Sequence, residues 1–280
     1  MNTVRQLNVD EYDKWDEFVI RSPQGSLFQT IAWNKMLCQT DPELEDILLL
    51  ASMNEKEVIQ AGVIACYRRL NGKKMLYLPP VGYVSPILSP DLHYEERHHT
   101  YGNYLVLVDL IQKLVEQAAP VRLKNSPDIW DIRAYFHQSW HIDTHYTYLW
   151  RGAPTERSGA ELAVEGQAVS EKLTLKVDED WADLHRLLKL PGNQRIFQKR
   201  LDWLRNKGLC RLFVATDVDT GIAGMCLVLL SRENQTAYLW DAGCAAPTRE
   251  TEVLSFLLRQ CWQNLSGEFA CFDLGSSTRV

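Results

Sequence analysis

The sequence predicts an α+β protein in which one folding unit occurs twice. Three observations carry that expectation. The first is size: 280 residues are more than one hydrophobic core requires and fit two domains of roughly 100–150 residues. The second is a pattern that starts again near Val177. The third is the order within each copy, where helices come first, an antiparallel meander follows, and a helix and a short strand close the unit. That order belongs to α+β chains rather than to a doubly wound sheet.

The first helix is expected over Val9 to Ile20, with Asn8 and Asp10 as candidate caps. Val9, Tyr12, Trp15, Phe18 and Val19 recur mostly at three- and four-residue steps, which marks one buried face. Ser22-Pro23-Gln24-Gly25 stops it with turn residues. A second helix is expected over Gln29 to Cys38. Strands follow at Ile47–Met53, at Val58–Tyr67 after the turn Asn54-Glu55-Lys56, and at Lys74–Leu78 after Asn71-Gly72. Tyr101 to Gln117 is amphipathic and helical. Arg122–Asn125 and Thr144–Trp150 are expected as short strands, the latter rich in β-formers. They complete a first domain over residues 1–150. Residues 151–171, RGAPTERSGAELAVEGQAVSE, hold few large apolar groups and are expected as a linker or loop.

The second domain, 172–280, repeats the scheme. Val177 to Leu188 echoes the opening helix, with Asp178 or Asp180 as cap. Phe197-Gln198 followed by Trp203 echoes Phe28-Gln29 followed by Trp33. Leu209–Thr216, the turn Asp219-Thr220-Gly221 and Ile222–Leu230 echo the first hairpin, and Ala61-Gly62 corresponds to Ala223-Gly224. An aromatic strand comes next in each copy, Met75–Leu78 and Ala237–Trp240. Helix Glu250–Gln263 and strand Phe269–Leu274 close the chain.

Composition narrows function. The balance of 46% hydrophobic and 24% charged residues is that of a globular protein. A net charge of -6 without a basic block argues against DNA or nonspecific nucleic-acid binding, which needs Lys and Arg to neutralise phosphates. No apolar run approaches the roughly 18–20 residues of a membrane span. The start MNTVRQLNVDEYDKW lacks a signal-peptide core, so a cytoplasmic location is expected. The 7 cysteines are scattered through apolar runs, as small buried hydrophobes in a reducing compartment would be. His137, His141 and His145 would align as metal ligands only on one helix, and the strand-like Thr144–Trp150 breaks that alignment. No metal site is expected. Cys244 has no neighbour in sequence to activate it as a nucleophile.

With the repeat laid out, the sequence resembles the tandem acetyltransferase-fold family of Fem peptidoglycan-bridge enzymes and related envelope acyltransferases. The resemblance rests on SPQGSLFQTIAW (22–33), EVIQAGVIACY leading to KKMLYLPPVGYVSPIL, THYTYL (144–149), GIAGMCLVLL, AYLWDAGC and FACFDLGSS. It implies two tandem GNAT-like domains, with mixed, mostly antiparallel sheets flanked by helices and substrate held in a cleft between or across them. It also implies that SPQGSLFQTIAW turns the second helix back onto the sheet, with Phe28 and Trp33 packing the junction.

Acyl transfer asks that the acceptor lose a proton, that the carbonyl oxygen be stabilised and that the leaving group be protonated. GNAT enzymes use splayed strands for the acyl donor and a helix N-terminus for its pyrophosphate. By resemblance the corresponding place is Tyr238–Cys244 and the helix entered at Thr248. Asp241, following an apolar strand, is the candidate base, and Tyr238 the candidate acid. Trp240 beside them and Asp273 at the end of the last strand are candidate substrate contacts. So are Tyr83 in the stiff PPVGYVSP loop, Lys35 just beyond Trp33, and Arg195, which shares a helical face with Lys199. Related ligases hold phosphate with a lysine shortly after the Trp. Leu37 occupies that position here, and Lys35, two residues earlier, is turned about 200° away.

The loop Ala245-Ala-Pro-Thr-Arg-Glu250 has one Arg and no glycine pair, which gives acetyl-CoA little support. The bridge-forming ligases continue beyond the FDLGSS-like strand, whereas this sequence stops at Val280, which sets aminoacyl-tRNA lower as a donor. The donor therefore stays open between acyl-CoA and aminoacyl-tRNA. Two functions are expected: an acyltransferase acting on an amine or hydroxyl of an envelope or sugar precursor, or a non-catalytic binding protein of the same fold.

Overall fold

Two strands absent from the sequence expectation, Thr3–Gln6 and Leu173–Val177, each end the strand order of one of the two sheets. In the computed structural model, which describes residues 2–92, 100–129, 131–152, 172–188 and 193–276, the chain divides into units Met1–His145 and Tyr146–Val280. Each unit has the expected α+β architecture with a mostly antiparallel sheet. Most of the expected linker, and the pair His98-His99, lie outside the described residues.

In the first unit, strand β1 (Thr3–Gln6) precedes helices α1 (Tyr12–Arg21) and α2 (Ile31–Thr40). A single 3-10 turn, Val9–Glu11, leads into α1, and the Glu11 carboxylate accepts from the Asn8 backbone N–H at 3.0 Å, closing the helix start. Trp15, Phe18 and Val19 are buried, but the stripe does not reach back to Val9, which is exposed. Thr30 has extended backbone and so breaks the second helix from Gln29. Its Oγ1 caps α2 by accepting from Trp33 N at 3.2 Å. Phe28 meets Trp33 edge to face with centroids 5.2 Å apart, as the junction reading requires.

The sheet then builds from β2 (Asp46–Met53), β3 (Ile59–Leu70), β4 (Lys73–Leu76) and β5 (Ile87–Leu88), in order β1-β2-β3-β4 with β5 also pairing β3. Helix α3 (Thr100–Gln117) covers one face, where Leu107, Leu110, Ile111 and Leu114 meet Leu48, Leu50, Ala61, Val63, Ala65 and Tyr67. Side chains of this size contribute about 1.5–3 kcal/mol each on full burial. Helices α1 and α2 cover the other face, where Trp15 lies over Gly62 and the Cys66 thiol donates to Asn34 O at 3.2 Å. Arg122–Asn125 is not a strand; it contributes one isolated bridge, Val84 to Lys124. A short helix α4 (Arg133–Phe136) precedes the end of the unit.

In the second unit the sheet order is β6-β11-β10-β9-β8-β7. Its members are β6 (Thr147–Arg151), β7 (Leu173–Val177), β8 (Cys210–Asp217), β9 (Gly221–Ser231), β10 (Thr236–Cys244) and β11 (Cys271–Ser276). Strand β6, assigned by the sequence to the end of the first domain, pairs antiparallel with β11, Phe272 facing Trp150. Among the described residues, only β10 and β11 run parallel in this sheet. Helix α7 (Glu250–Leu265) packs on one face with Val253, Leu257, Cys261 and Leu265. Helices α5 (Leu184–Leu187) and α6 (Gln194–Asn206) lie on the other, where Gly243 abuts the Leu187 carbonyl and Phe197 meets Trp240. The expected helix Val177–Leu188 is thus mostly replaced. Val177 ends β7, and Asp178 and Asp180 take left-handed conformations at φ 59° and 56° before the chain turns into α5.

The repeat also differs from its sequence alignment by one residue. Gly62 points at Trp15 on the α1 side of its sheet, whereas Gly224 points at Val253 of α7 on the opposite layer. Each long strand carries an irregularity just before: Gln60 is skipped between the pairs Ser52–Ala61 and Met53–Ile59, and Ala223 between Ala215–Gly224 and Thr216–Ile222. Gly224 therefore matches Ala61, not Gly62. A one-residue slip exchanges sheet faces, so the matching Ala-Gly pairs in the sequence hide opposite roles.

Candidate active site

Strands β10 and β11 are hydrogen-bonded over Thr236–Tyr238 and Cys271–Asp273 only. Beyond that β10 follows β9 to Cys244, while β11 follows β6, where Ser276 pairs with Thr147. The two parallel strands share no ladder past Tyr238 and Asp273. At the same level the β9–β10 ladder steps over a residue: Leu239 faces Val228, Asp241 faces Leu227, and Trp240 has no opposite number. Such a bulge re-aims side chains beside the inserted residue.

Register places the expected residues together. Tyr238 and Asp273 face each other across the parallel pair and so emerge on one side of the sheet. Strand alternation puts Trp240 on that side too, where its ring meets Phe197 of α6 at 5.2 Å, and the inserted residue is what turns Asp241 to it. Asp241, opposite Leu227, follows on the same side. Tyr238, Trp240, Asp241 and Asp273 thus occupy one face at the point where β10 and β11 stop pairing.

Each is held differently. Asn234 Nδ2 donates to Tyr238 Oη at 2.8 Å, fixing a ring that is 6% exposed. Asp241 Oδ1 accepts from Ala242 N at 2.9 Å. Asp273, 2% exposed, accepts from Gly275 N at 2.9 Å and from Thr147 Oγ1. Trp240 Nε1 is buried and has no hydrogen-bond partner among the described residues, an uncommon state for an indole N–H. Phe197 also packs edge to face with His185, whose Nε2 is 3.0 Å from Gln198 Oε1.

The other expected residues lie elsewhere. Arg195 is exposed near the start of α6, two positions from buried Phe197 and therefore on the far side of the helix. Lys35 is exposed on α2, with Nζ 5.0 Å from the Tyr12 ring centroid, while Leu37 is in the core. Tyr83 is 8% exposed, packed against Phe28 with Lys124 Nζ 5.4 Å above its ring. Of the three spaced histidines, His137 Nδ1 lies 2.9 Å from Tyr104 Oη and His141 Nε2 3.2 Å from Asp143 Oδ1. Helix α4 ends before all three. Cys244 donates to Ala246 O at 3.2 Å.

Two supports were missed. Asn234 sits in an ordinary turn sequence, and Thr147 lies in a strand that reads as part of the other domain; only the final pairing shows what either one holds. The ionic cluster around Arg249 was also missed. Arg249, just before α7, donates to Asp217 Oδ2 at 2.8 Å and to Glu252 Oε1 at 2.8 Å. Asp217 additionally accepts from the backbone N–H of Asp219 and Thr220. The guanidinium, then those N–H groups, hold the Asp217 carboxyl down to about 2.

Among solved structures, the chain is similar to the crystal structure of FemX, at 12% identity over 99% of this chain and 90% of that one, with a TM-score of 0.60. It is also similar to a tandem GNAT protein from the clavulanic acid biosynthesis pathway, at 12% identity over 100% and 91%, with a TM-score of 0.52. No family model matches the sequence, and no curated protein does. The fold is the tandem GNAT-like one that the sequence motifs lead one to expect.

Proposed function

On this tandem GNAT-like fold, we propose that the chain is an acyltransferase. It moves an acyl or aminoacyl group to an amine or hydroxyl of a small-molecule or envelope precursor, at the bulge of β10. The observation that carries the reading is the coincidence of the bulge with the end of β10–β11 pairing, which gathers Tyr238, Trp240 and Asp241 on one face.

Asp241 takes the proton from the acceptor as its nitrogen or oxygen bonds to the donor carbonyl carbon. The carbonyl oxygen, gaining negative charge, is met by backbone N–H groups of the bulge and by Trp240 Nε1. Preorganised donors of this kind supply much of the rate enhancement in many acyl transfers. As the bond to the leaving group breaks, Tyr238 Oη supplies its proton, and the Asn234 amide stabilises the phenolic oxygen while it does so. Asp273 is the poorer base because Thr147 and Gly275 already hold its carboxylate. It anchors the β6–β11 side of the site and contacts substrate from there. Lys35 and Tyr83 belong to the first unit and Arg195 is exposed on α6, and none of them takes part in this step.

A thermal-shift and turnover panel tests this reading, with thioesters and aminoacyl esters as donors and amino sugars and nucleotide sugars as acceptors. The expected outcome is transfer from at least one donor, reduced about tenfold or more in Trp240→Phe. Ligand-induced stabilisation without transfer across the panel would instead favour the second reading, a binding protein. One observation favours that alternative: the only Arg of the loop before α7 is engaged in ion pairs.

A further inference from the structure

In a GNAT-like domain, the N-terminus of the helix after the splayed strand is where a CoA diphosphate would be expected to rest, on free backbone N–H groups and a basic loop. The corresponding place here, Ala245 to Glu252, can be tested residue by residue. Its loop offers one cation, Arg249, whose guanidinium is divided between two carboxylates of this chain: Nη1 on Asp217 and Nη2 on Glu252, each at 2.8 Å, with Nε also 3.3 Å from Glu252 Oε2. The Asp217 side chain is 2% exposed, so this partner is built into the β8–β9 turn rather than floating at the surface. The first turn of α7 carries Glu250 and Glu252, which complement the helix dipole from within. Anionic charge at this helix start is therefore already supplied by the protein. An incoming diphosphate would meet two glutamates and would have to displace Asp217 or Glu252 from Arg249.

We infer that the second unit is closed to a diphosphate at the start of α7. The donor used at the β10 bulge would then belong to a class recognised through its acyl group and the atoms next to it, without a nucleotide diphosphate arm docked on this helix. The inference rests on the acyl-transfer reading of the bulge for the word donor. The ionic closure itself does not depend on that reading.

Titration calorimetry with CoA, pantetheine and inorganic pyrophosphate, on wild type and on Glu250→Gln/Glu252→Gln, tests it. The expected result is no saturable binding of CoA or pyrophosphate by wild type up to millimolar concentration. Pyrophosphate affinity should appear, or rise tenfold or more, once the variant frees half of the Arg249 fork and removes two charges. CoA binding that equals pantetheine binding and is unchanged in Arg249→Gln would agree as well, since the diphosphate would then go unread. CoA binding by wild type that is at least tenfold tighter than pantetheine binding, and is weakened by Arg249→Gln, would overturn the inference. If such binding accompanied transfer that depends on Asp241, the acyl-transfer reading would stand and only the closure would fall. Failure of every donor to react, with no CoA bound, would remove the acyl-transfer reading and leave the closure intact.

Discussion

The same sheet position is handled in two ways in the two units. In the second, β10 runs alongside β9 with one inserted residue, Trp240. In the first, the equivalent strand is cut in two. β4 pairs β3 from Tyr67 to Leu70, β5 rejoins it at Ala61 and Gly62, and β3 residues 63–66 face the whole excursion 77–86. The small bulge keeps the ladder and tilts two side chains. The large excursion gives the ladder up beyond Tyr77, whose N–H still donates to Cys66 O at 2.8 Å, and folds a proline-stiffened loop over Phe28. The one-residue insertion leaves Trp240 and Asp241 half-buried where β11 stops pairing with β10, while the longer excursion packs Tyr83 against Phe28. That contrast is the physical reason to look for chemistry in the second unit rather than the first.

The contrast is most vulnerable at Gly82. Its φ is 85°, and an added Cβ would lie 2.4 Å from the Phe28 ring. Gly82→Ala should therefore destabilise the chain by about 3 kcal/mol or more through backbone strain and overpacking. Urea unfolding with hydrogen exchange over residues 28–36 and 77–88 checks this. An unchanged midpoint would mean that the excursion is not packed as described.

The one-residue offset between the copies is accessible to rescue experiments. Gly62→Ala and Gly224→Ala should each cost roughly 1–3 kcal/mol. The first cost should shrink when Trp15 becomes Phe, which removes the ring atoms 2.4–2.9 Å from the new Cβ. The second should shrink when Val253 becomes Ala. Double-mutant cycles measure both couplings. Rescue of Gly62→Ala by a change in α3 instead would restore the alignment read from the sequence.

A smaller effect is expected in acid. Asp217 in the second unit and Glu11 in the first both have carboxyls held near 2. The chief cause is a hydrogen-bonded arginine, Arg249 for one and Arg5 for the other. A depressed carboxyl pKa contributes stability that is present above the unfolded value, near 4, and lost as pH falls toward 2. Both units should thus weaken between about pH 4 and pH 2. Arg249→Gln should flatten that slope for the second unit only, as read by hydrogen exchange at stepped pH.

Much of this architecture was legible because period and turn chemistry are local. The stripe Trp15, Phe18, Val19, the hairpin over Asp219-Thr220-Gly221 and the apolar strands around them declare their elements directly. The two edge strands β1 and β7 were not legible, since four or five half-exposed residues carry too weak an alternation. The partner of β6 was hidden for another reason. Nothing within THYTYL says that its hydrogen bonds go to a strand more than 120 residues later, Phe272 opposite Trp150 among them. Tyr238, Trp240, Asp241 and Asp273 were proposed from motif order, and the sheet register is what brings them to one face. Lys35 was singled out by its place just after Trp33 and Arg195 by the face it shares with Lys199, and both are exposed on their helices.

If the acceptor loses its proton at the bulge of β10, removing the carboxylate there must stop the reaction. The decisive comparison is turnover by Asp241→Asn against wild type, on whichever donor and acceptor the panel selects, with folding verified by circular dichroism and thermal unfolding. A fall of about 10²-fold or more with an unchanged melting temperature is the predicted result. Wild-type turnover in a folded Asp241→Asn protein would contradict the assignment and with it the placement of the chemistry at this bulge.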